Sequence, residues 1–233
     1  MASYKIFPCG DQGITIQFGN QIISGIHQRL IEIKHIFEFE PFVGLRDVIV
    51  AYSSLTIIYD SFRVSQYYKQ SSYQYVKQKL EEVCNLSSAK AESSSPLKRI
   101  PVCYNESFGL DLKTIASSKK LSVEEVIELH TTTTYHVFMI GFLPGFPYMA
   151  SINEKLVMPR KTKPRQQIPA GSVGIAGLQT GIYPVISPGG WQILGRTPLS
   201  LFSKEKDNPV LLRPGDDVQF YPITKDEFIA YKE

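Results

Sequence analysis

The chain reads as a two-domain protein of α+β class, a small N-terminal α+β domain followed by a C-terminal β-barrel or closed sandwich. Three observations predict this. Residues 85–99, NLSSAKAESSSPLKR, are dominated by Ser and almost lack large apolar side chains. Such a stretch cannot bury enough surface to offset its ordering entropy, so 87–97 is expected to be a linker. Before it, residues 1–86 show strand, helix, two strands and helix, the order of a small antiparallel α+β sandwich. After it, over 98–233, Gly and Pro interrupt short apolar runs so often that strands joined by tight turns are expected.

Each element has its own reason. GITIQFG (13–19) alternates apolar and polar positions, as a half-buried strand does. Asn20 is placed to cap the next helix, whose buried stripe would be Ile22, Ile26, Leu30, Ile33 and Phe37. DVIVAY (47–52) and LTIIYD (55–60) read as strands joined at Ser53 and Ser54, and one helix is expected over about 65–83 with Val76, Leu80 and Val83 inward. RIPVCY opens the second domain as a strand. Asp111 is a candidate cap for LKTIASSKK. Ser122 and Glu125 form an S-x-x-E capping box ahead of VEEVIELH, in which Val123, Val126, Ile127 and His130 share a face. Strand and turn follow from Tyr135, and PVLLRPGDDVQFYPI is expected to be two strands about a turn at 214–216.

Composition narrows the class. Of the 233 residues 43% are hydrophobic and 20% charged, a globular balance. The net charge of +3 is mild, and the basic cluster at 155–165 has no interleaved aromatics, so nucleic acid is not expected as a partner. Three widely spaced cysteines form no CxxC pair and argue against a disulfide framework or a zinc site. A reducing cytoplasm is the expected setting. The N-terminus lacks a signal-peptide core and no run reaches the roughly 20 apolar residues of a membrane span. Phosphate-loop, GxGxxG, HExxH and GxSxG motifs are all missing.

The residues that can carry chemistry surround one uncharged stretch. Residues 166–195 contain seven glycines and no Lys, Arg, Asp, Glu or His, and cations crowd before and after them. Arg160, Arg165 and Arg196 can grip a carboxylate or phosphate through paired hydrogen bonds. The same arrangement is also that of a tightly cornered barrel with no ligand, its arginines stacked on Trp191 or bonded to loop carbonyls. Ser172 and Gln179 can orient an amide or simply be solvated. Phe142, Phe146 and Tyr148, held among Gly and Pro in GFLPGFPYM, either wall a pocket or plug one barrel end. His130 is the titratable candidate for proton transfer, or else a core histidine satisfied by one of the hydroxyls that follow it, those of Thr131, Thr132, Thr133, Thr134 and Tyr135. No metal set is completed.

GFLPGFPYM (141–149), PRKTKPRQQIPAGSVGIAGLQTGIYPVISPGGWQILGRTP (159–198) and LLRPGDDVQFYPI (211–223) closely resemble the allophanate hydrolase subunit 1 family, as do GDQGITIQFG, VCYNESFGLDL and VEEVIELHTTTTYHV. That family includes the B component of 5-oxoprolinase and the kinase inhibitor KipI. The resemblance implies a cyclophilin-like C-terminal barrel and one member of an ATP-dependent 5-oxoprolinase complex that opens 5-oxoproline to glutamate. The implied partners are the homologous C component and the A component of that enzyme, with ATP shared among them. Inhibition of a sensor histidine kinase is the other role the family implies. On these terms Arg160, Arg165 and Arg196 would neutralise phosphate charge, and His130 or Tyr135 would move a proton.

Overall fold

The computed structural model describes residues 3–86 and 96–231. Most of the expected linker, 87–95, therefore lies outside the described residues. The chain divides into two compact units, Met1–Ser94 and Ser95–Glu233.

The first unit contains β1 (Lys5–Pro8), β2 (Gly13–Gln17), α1 (Ser24–Phe39), β3 (Leu45–Val50), β4 (Ser54–Tyr59), α2 (Ser61–Tyr68) and α3 (Ser72–Leu86). Its sheet runs β1-β2-β4-β3, antiparallel throughout. Leu30, Ile33 and Phe37 of α1 bury against Ile14, Ile16, Leu55 and Ile57 of the central strands, with Val76 and Leu80 of α3 in the same core. Three expectations need correction. Ile22 lies outside α1 and is 37% exposed, and buried His27 extends the stripe instead. Asn20 does not cap α1; its side chain accepts from Gln17 Nε2 at 2.7 Å, and the cap position is Ile23 with no side-chain bond. The helix expected over 65–83 is two helices. Asp60 caps the first by accepting from Arg63 N, and Lys69 ends it at φ +54°.

The second unit contains β5 (Lys98–Cys103), α4 (Leu112–Lys119), α5 (Val123–Thr131), β6 (Thr134–Ile140), β7 (Pro147–Ala150), a 3-10 turn (Glu154–Leu156), β8 (Arg165–Ile168), β9 (Ser172–Ala176), β10 (Gln179–Ile182), β11 (Ser187–Gly189), β12 (Gln192–Arg196), β13 (Asp217–Ile223) and α6 (Lys225–Ala230). Seven strands close a barrel in the order β10-β7-β6-β13-β5-β12-β9, the closed architecture that the turn-rich sequence and the resemblance imply. Only β5 and β13 pair in parallel among these strands. β8 and β11 form a separate ribbon.

Glycine lets the barrel walls approach. A Cβ on Gly195 would stand 2.7 Å from the Cys103 carbonyl, and one on Gly181 2.7 Å from that of Pro147. The interior is filled by Val102, Val137, Met149, Val173, Ile175, Leu194 and Phe220, among others. The Ser122–Glu125 capping box forms as expected, with Glu125 N donating to Ser122 Oγ at 3.0 Å. PVLLR does not form a strand; Val210 makes one isolated bridge to Phe202. The turn beyond it does form, and Asp216 Oδ2 accepts from Arg213 N at 2.7 Å.

Candidate functional site

The β8–β11 ribbon carries a cationic rim beside an aromatic cluster. Phe146, 1% exposed, sits at the cluster's centre. Its ring centroid is 4.8 Å from Tyr148, 5.2 Å from Tyr183, 5.4 Å from Trp191 and 5.7 Å from Phe142. Phe146 is thus the buried packing centre, Tyr148 is half-buried, and Phe142 projects at 64% exposure from a left-handed turn. Tyr183 and Gly189 show why Gly is needed here, since a Cβ on Gly189 would meet the Tyr183 hydroxyl at 2.4 Å. Burial raises the phenols of Tyr148 and Tyr183, and nearby Arg160 works against that rise at both. Among the described residues, no hydrogen bond or ion pair holds the Arg160 side chain, which is exposed.

Arg165 has a different position. Its Nη1 and Nη2 donate to Asp111 Oδ2 and Oδ1 at 2.8 and 2.7 Å. Lys161 Nζ donates to Oδ1 at 2.9 Å and Ile193 N to Oδ2 at 2.7 Å. Burial alone would raise the Asp111 carboxyl, but the Arg165 fork, the Ile193 N–H and Lys161 together hold it below the usual carboxylate range. This carboxylate, 2% exposed, therefore does not cap α4 through its side chain, as the sequence suggested. It ties α4 to β8 and β12 instead. Two cations on one anion leave the cluster with a net charge of +1, so the rim stays cationic although Arg165 is engaged.

His130 lies inside the barrel, 0% exposed. Its Nδ1 is 2.8 Å from the Tyr104 hydroxyl and its Nε2 3.2 Å from Thr180 Oγ1. Thr180 spends its proton on the Gly174 carbonyl, at 3.1 Å, so it accepts from Nε2–H. Nδ1 is then the acceptor of the Tyr104 proton. Phe220 stacks on the imidazole at 4.7 Å, and burial pushes its pKa down to about 3. Tyr135 donates to the His130 carbonyl at 2.9 Å, and burial raises its phenol. Such a ring is neutral near pH 7, and its one basic nitrogen is already occupied. The ring is a core histidine, but the hydroxyls that satisfy it are those of Tyr104 and Thr180, brought from distant positions, and not those of residues 131–135; proton transfer by His130 or Tyr135 has no open path in this geometry.

Arg196 stands apart from Arg165. It pairs across the sheet with buried Ser172, and its Nε donates to the Ala170 carbonyl at 2.7 Å. The stacking alternative also holds in part, but the rings are Phe108 and Phe228 rather than Trp191. Gln179 begins β10, half-buried and opposite Ala150 and Ala176. The structure thus brings together Arg160, Lys161, Arg165, Phe146, Tyr148 and the ribbon, while His130 and Tyr135 form a second, internal network. Sequence reasoning missed Asp111 as the organiser, because no local pattern links it to an arginine 54 positions on. It also missed Tyr183, whose only signal was its place within the uncharged stretch.

The chain matches the family described as carboxyltransferase domain, subdomain C and D, over residues 4–212, and it belongs to that family. Within it the chain is similar to the B component of 5-oxoprolinase from Bacillus subtilis (strain 168), 42% identical over 99% of this chain and 97% of that protein. The solved structure of TTHA0988 superposes with a TM-score of 0.79 at 34% identity, over 91% of this chain and 40% of that one. The Kluyveromyces lactis urea amidolyase shares the fold, with a TM-score of 0.76 at 20% identity over 97% of this chain and 15% of that enzyme. Among the described residues no helix is long and apolar enough to cross a membrane, and no cluster could hold a metal ion.

Proposed function

We propose that the chain is the B component of an ATP-dependent 5-oxoprolinase, working with the homologous C component and with the A component. The observation that carries this reading is the 42% identity across nearly the full length of both this chain and the Bacillus subtilis protein. In the proposed reaction, 5-oxoproline, ATP and two waters give glutamate, ADP and phosphate. A lactam resists attack because its nitrogen donates into the carbonyl. Phosphorylation of the lactam oxygen, with loss of the N–H proton, gives an imidate phosphate whose carbon is open to attack. The first water adds there, the C–N bond of the adduct breaks as the nitrogen takes a proton, and the second water cleaves the acyl phosphate that remains into the carboxylate of glutamate and free phosphate.

Phosphoryl transfer needs fixed cations around moving negative charge. Arg160 and the Asp111–Lys161–Arg165 cluster supply them on an otherwise neutral wall. With no phosphate loop in the chain, the nucleotide is assigned to a site completed by the companion proteins. His130 and Tyr135 are left as interior scaffold.

The test is reconstitution of the three purified components. Glutamate should be released from 5-oxoproline only when ATP and all three are present. A complete mixture that stays inert, while this chain alone blocks autophosphorylation of a sensor histidine kinase, would overturn the reading in favour of the inhibitory role.

A further inference from the structure

A cavity of about 410 Å³ opens beside Arg196, between the 170–171 turn, the 197–200 segment and the C-terminal helix α6. Arg196 is held there from two sides. Its Nε is fixed by the Ala170 carbonyl at 2.7 Å. Its guanidinium carbon lies 5.9 and 5.7 Å from the Phe108 and Phe228 ring centres, and those rings pack 4.4 Å from each other. These contacts use Nε and one side of the group. Among the described residues, Nη1 and Nη2 meet no acceptor and no carboxylate, and no acidic side chain lines the cavity.

We propose that this cavity binds a small carboxylate, gripped in parallel by Nη1 and Nη2 of Arg196. The rest of the wall sets the class of ligand. Pro184, Pro198 and Leu199 are apolar, and Tyr231 adds an aromatic edge. One cation among such groups balances a monoanion with a compact apolar body and leaves a phosphate dianion under-neutralised. The planar fork fits carboxylate and phosphate alike, so it is the charge balance and the apolar wall that select the carboxylate. The chain itself contains the filled version of this fork, since Arg165 grips Asp111 with two bonds of 2.8 and 2.7 Å. At Arg196 the group is held through Nε and the two rings, and the carboxylate has to come from elsewhere. Choosing 5-oxo-L-proline as the member of the class rests on the oxoprolinase reading, while the carboxylate class rests on the cavity.

The test is titration of the 233-residue chain, followed by NMR and calorimetry, with four probes: 5-oxo-L-proline, its uncharged carboxamide, cyclopentanecarboxylate and inorganic phosphate. At least one of the two carboxylates should bind and shift the Phe228 and Tyr231 resonances. The carboxamide should bind at least tenfold more weakly than 5-oxo-L-proline where the latter binds. Arg196→Ala and Arg196→Lys should each lose at least tenfold, and Phe228→Ala, which keeps the fork but unstacks it, should lose less. Should the Arg196 variants fail to fold, the carboxylate-to-carboxamide comparison on the wild type still decides. Neither carboxylate binding, or phosphate binding more tightly than both, would overturn the proposal. Because Glu233 follows Tyr231 by two positions, the titration is repeated on Glu233→Gln; binding seen only in that variant would overturn assignment to a free ligand. Binding of cyclopentanecarboxylate without 5-oxo-L-proline would sustain the cavity's carboxylate class and count against 5-oxo-L-proline as its member, leaving the oxoprolinase reading to the reconstitution.

Discussion

Asp111 and His130 are two buried titratable groups with opposite partners, and acid should affect stability through both. The Asp111 carboxyl is depressed in the folded chain, so its contribution is present above the unfolded pKa of about 3.9 and is lost as pH falls through the lower folded value. His130 is a base depressed to about 3 by burial. Below pH about 6.5 the unfolded chain takes up a proton that the folded chain refuses, so stability falls as pH drops toward 3, by up to roughly 1.4 kcal/mol per pH unit. In urea titrations between pH 7 and 4, His130→Gln should show a flatter pH dependence than wild type; an unchanged slope would rule out the neutral buried ring. Asp111→Ala strands Arg165 and Lys161 and should cost about 3 kcal/mol in urea unfolding at pH 7. Arg160, by contrast, is exposed and unheld. Arg160→Ala should leave the melting curve unchanged and lower turnover of the reconstituted complex at least tenfold. Wild-type turnover would remove it from the site.

At the scale of elements, what could be read in advance depended on whether the deciding contact was local. The Ser122–Glu125 box was legible because both partners lie within one turn. So was most of the α1 stripe, since Leu30, Ile33 and Phe37 repeat with the helical period. The break between α2 and α3 was not legible, because Lys69 carries no Gly or Pro signal yet adopts φ +54°. A left-handed lysine costs roughly 1 kcal/mol that glycine avoids. Lys69→Gly should therefore raise stability by about 0.5–1 kcal/mol, read as a higher thermal midpoint; a lower midpoint would mean that the lysine side chain supplies more than its backbone strain costs. Strand β1 and helix α6 escaped notice because each is short and largely exposed. In the site, Arg165 and Arg196 were visible as cations, but their occupancy was not. Asp111 and Phe228 reach them from distant positions, and no spacing rule connects such residues.

For the whole molecule, two separate cores imply two separate folding units. One is built on β2, β4 and α1, the other inside the barrel. Residues 3–86 and 96–231 expressed apart should each give a cooperative melt by circular dichroism; a non-cooperative trace from either would show that its core needs the other unit. Within the barrel, β5 has β12 and β13 as its neighbours, and the latter pairing joins Val218 to Lys98. On a ribosome, that early strand must therefore wait for β12, whose Arg196 follows its partner Cys103 by 93 positions, and longer still for β13, which begins at Asp217. A nascent chain halted before Asp217 would present an open sheet margin to any passing polypeptide, which makes the last strand the protein's safeguard against clumping during its own manufacture.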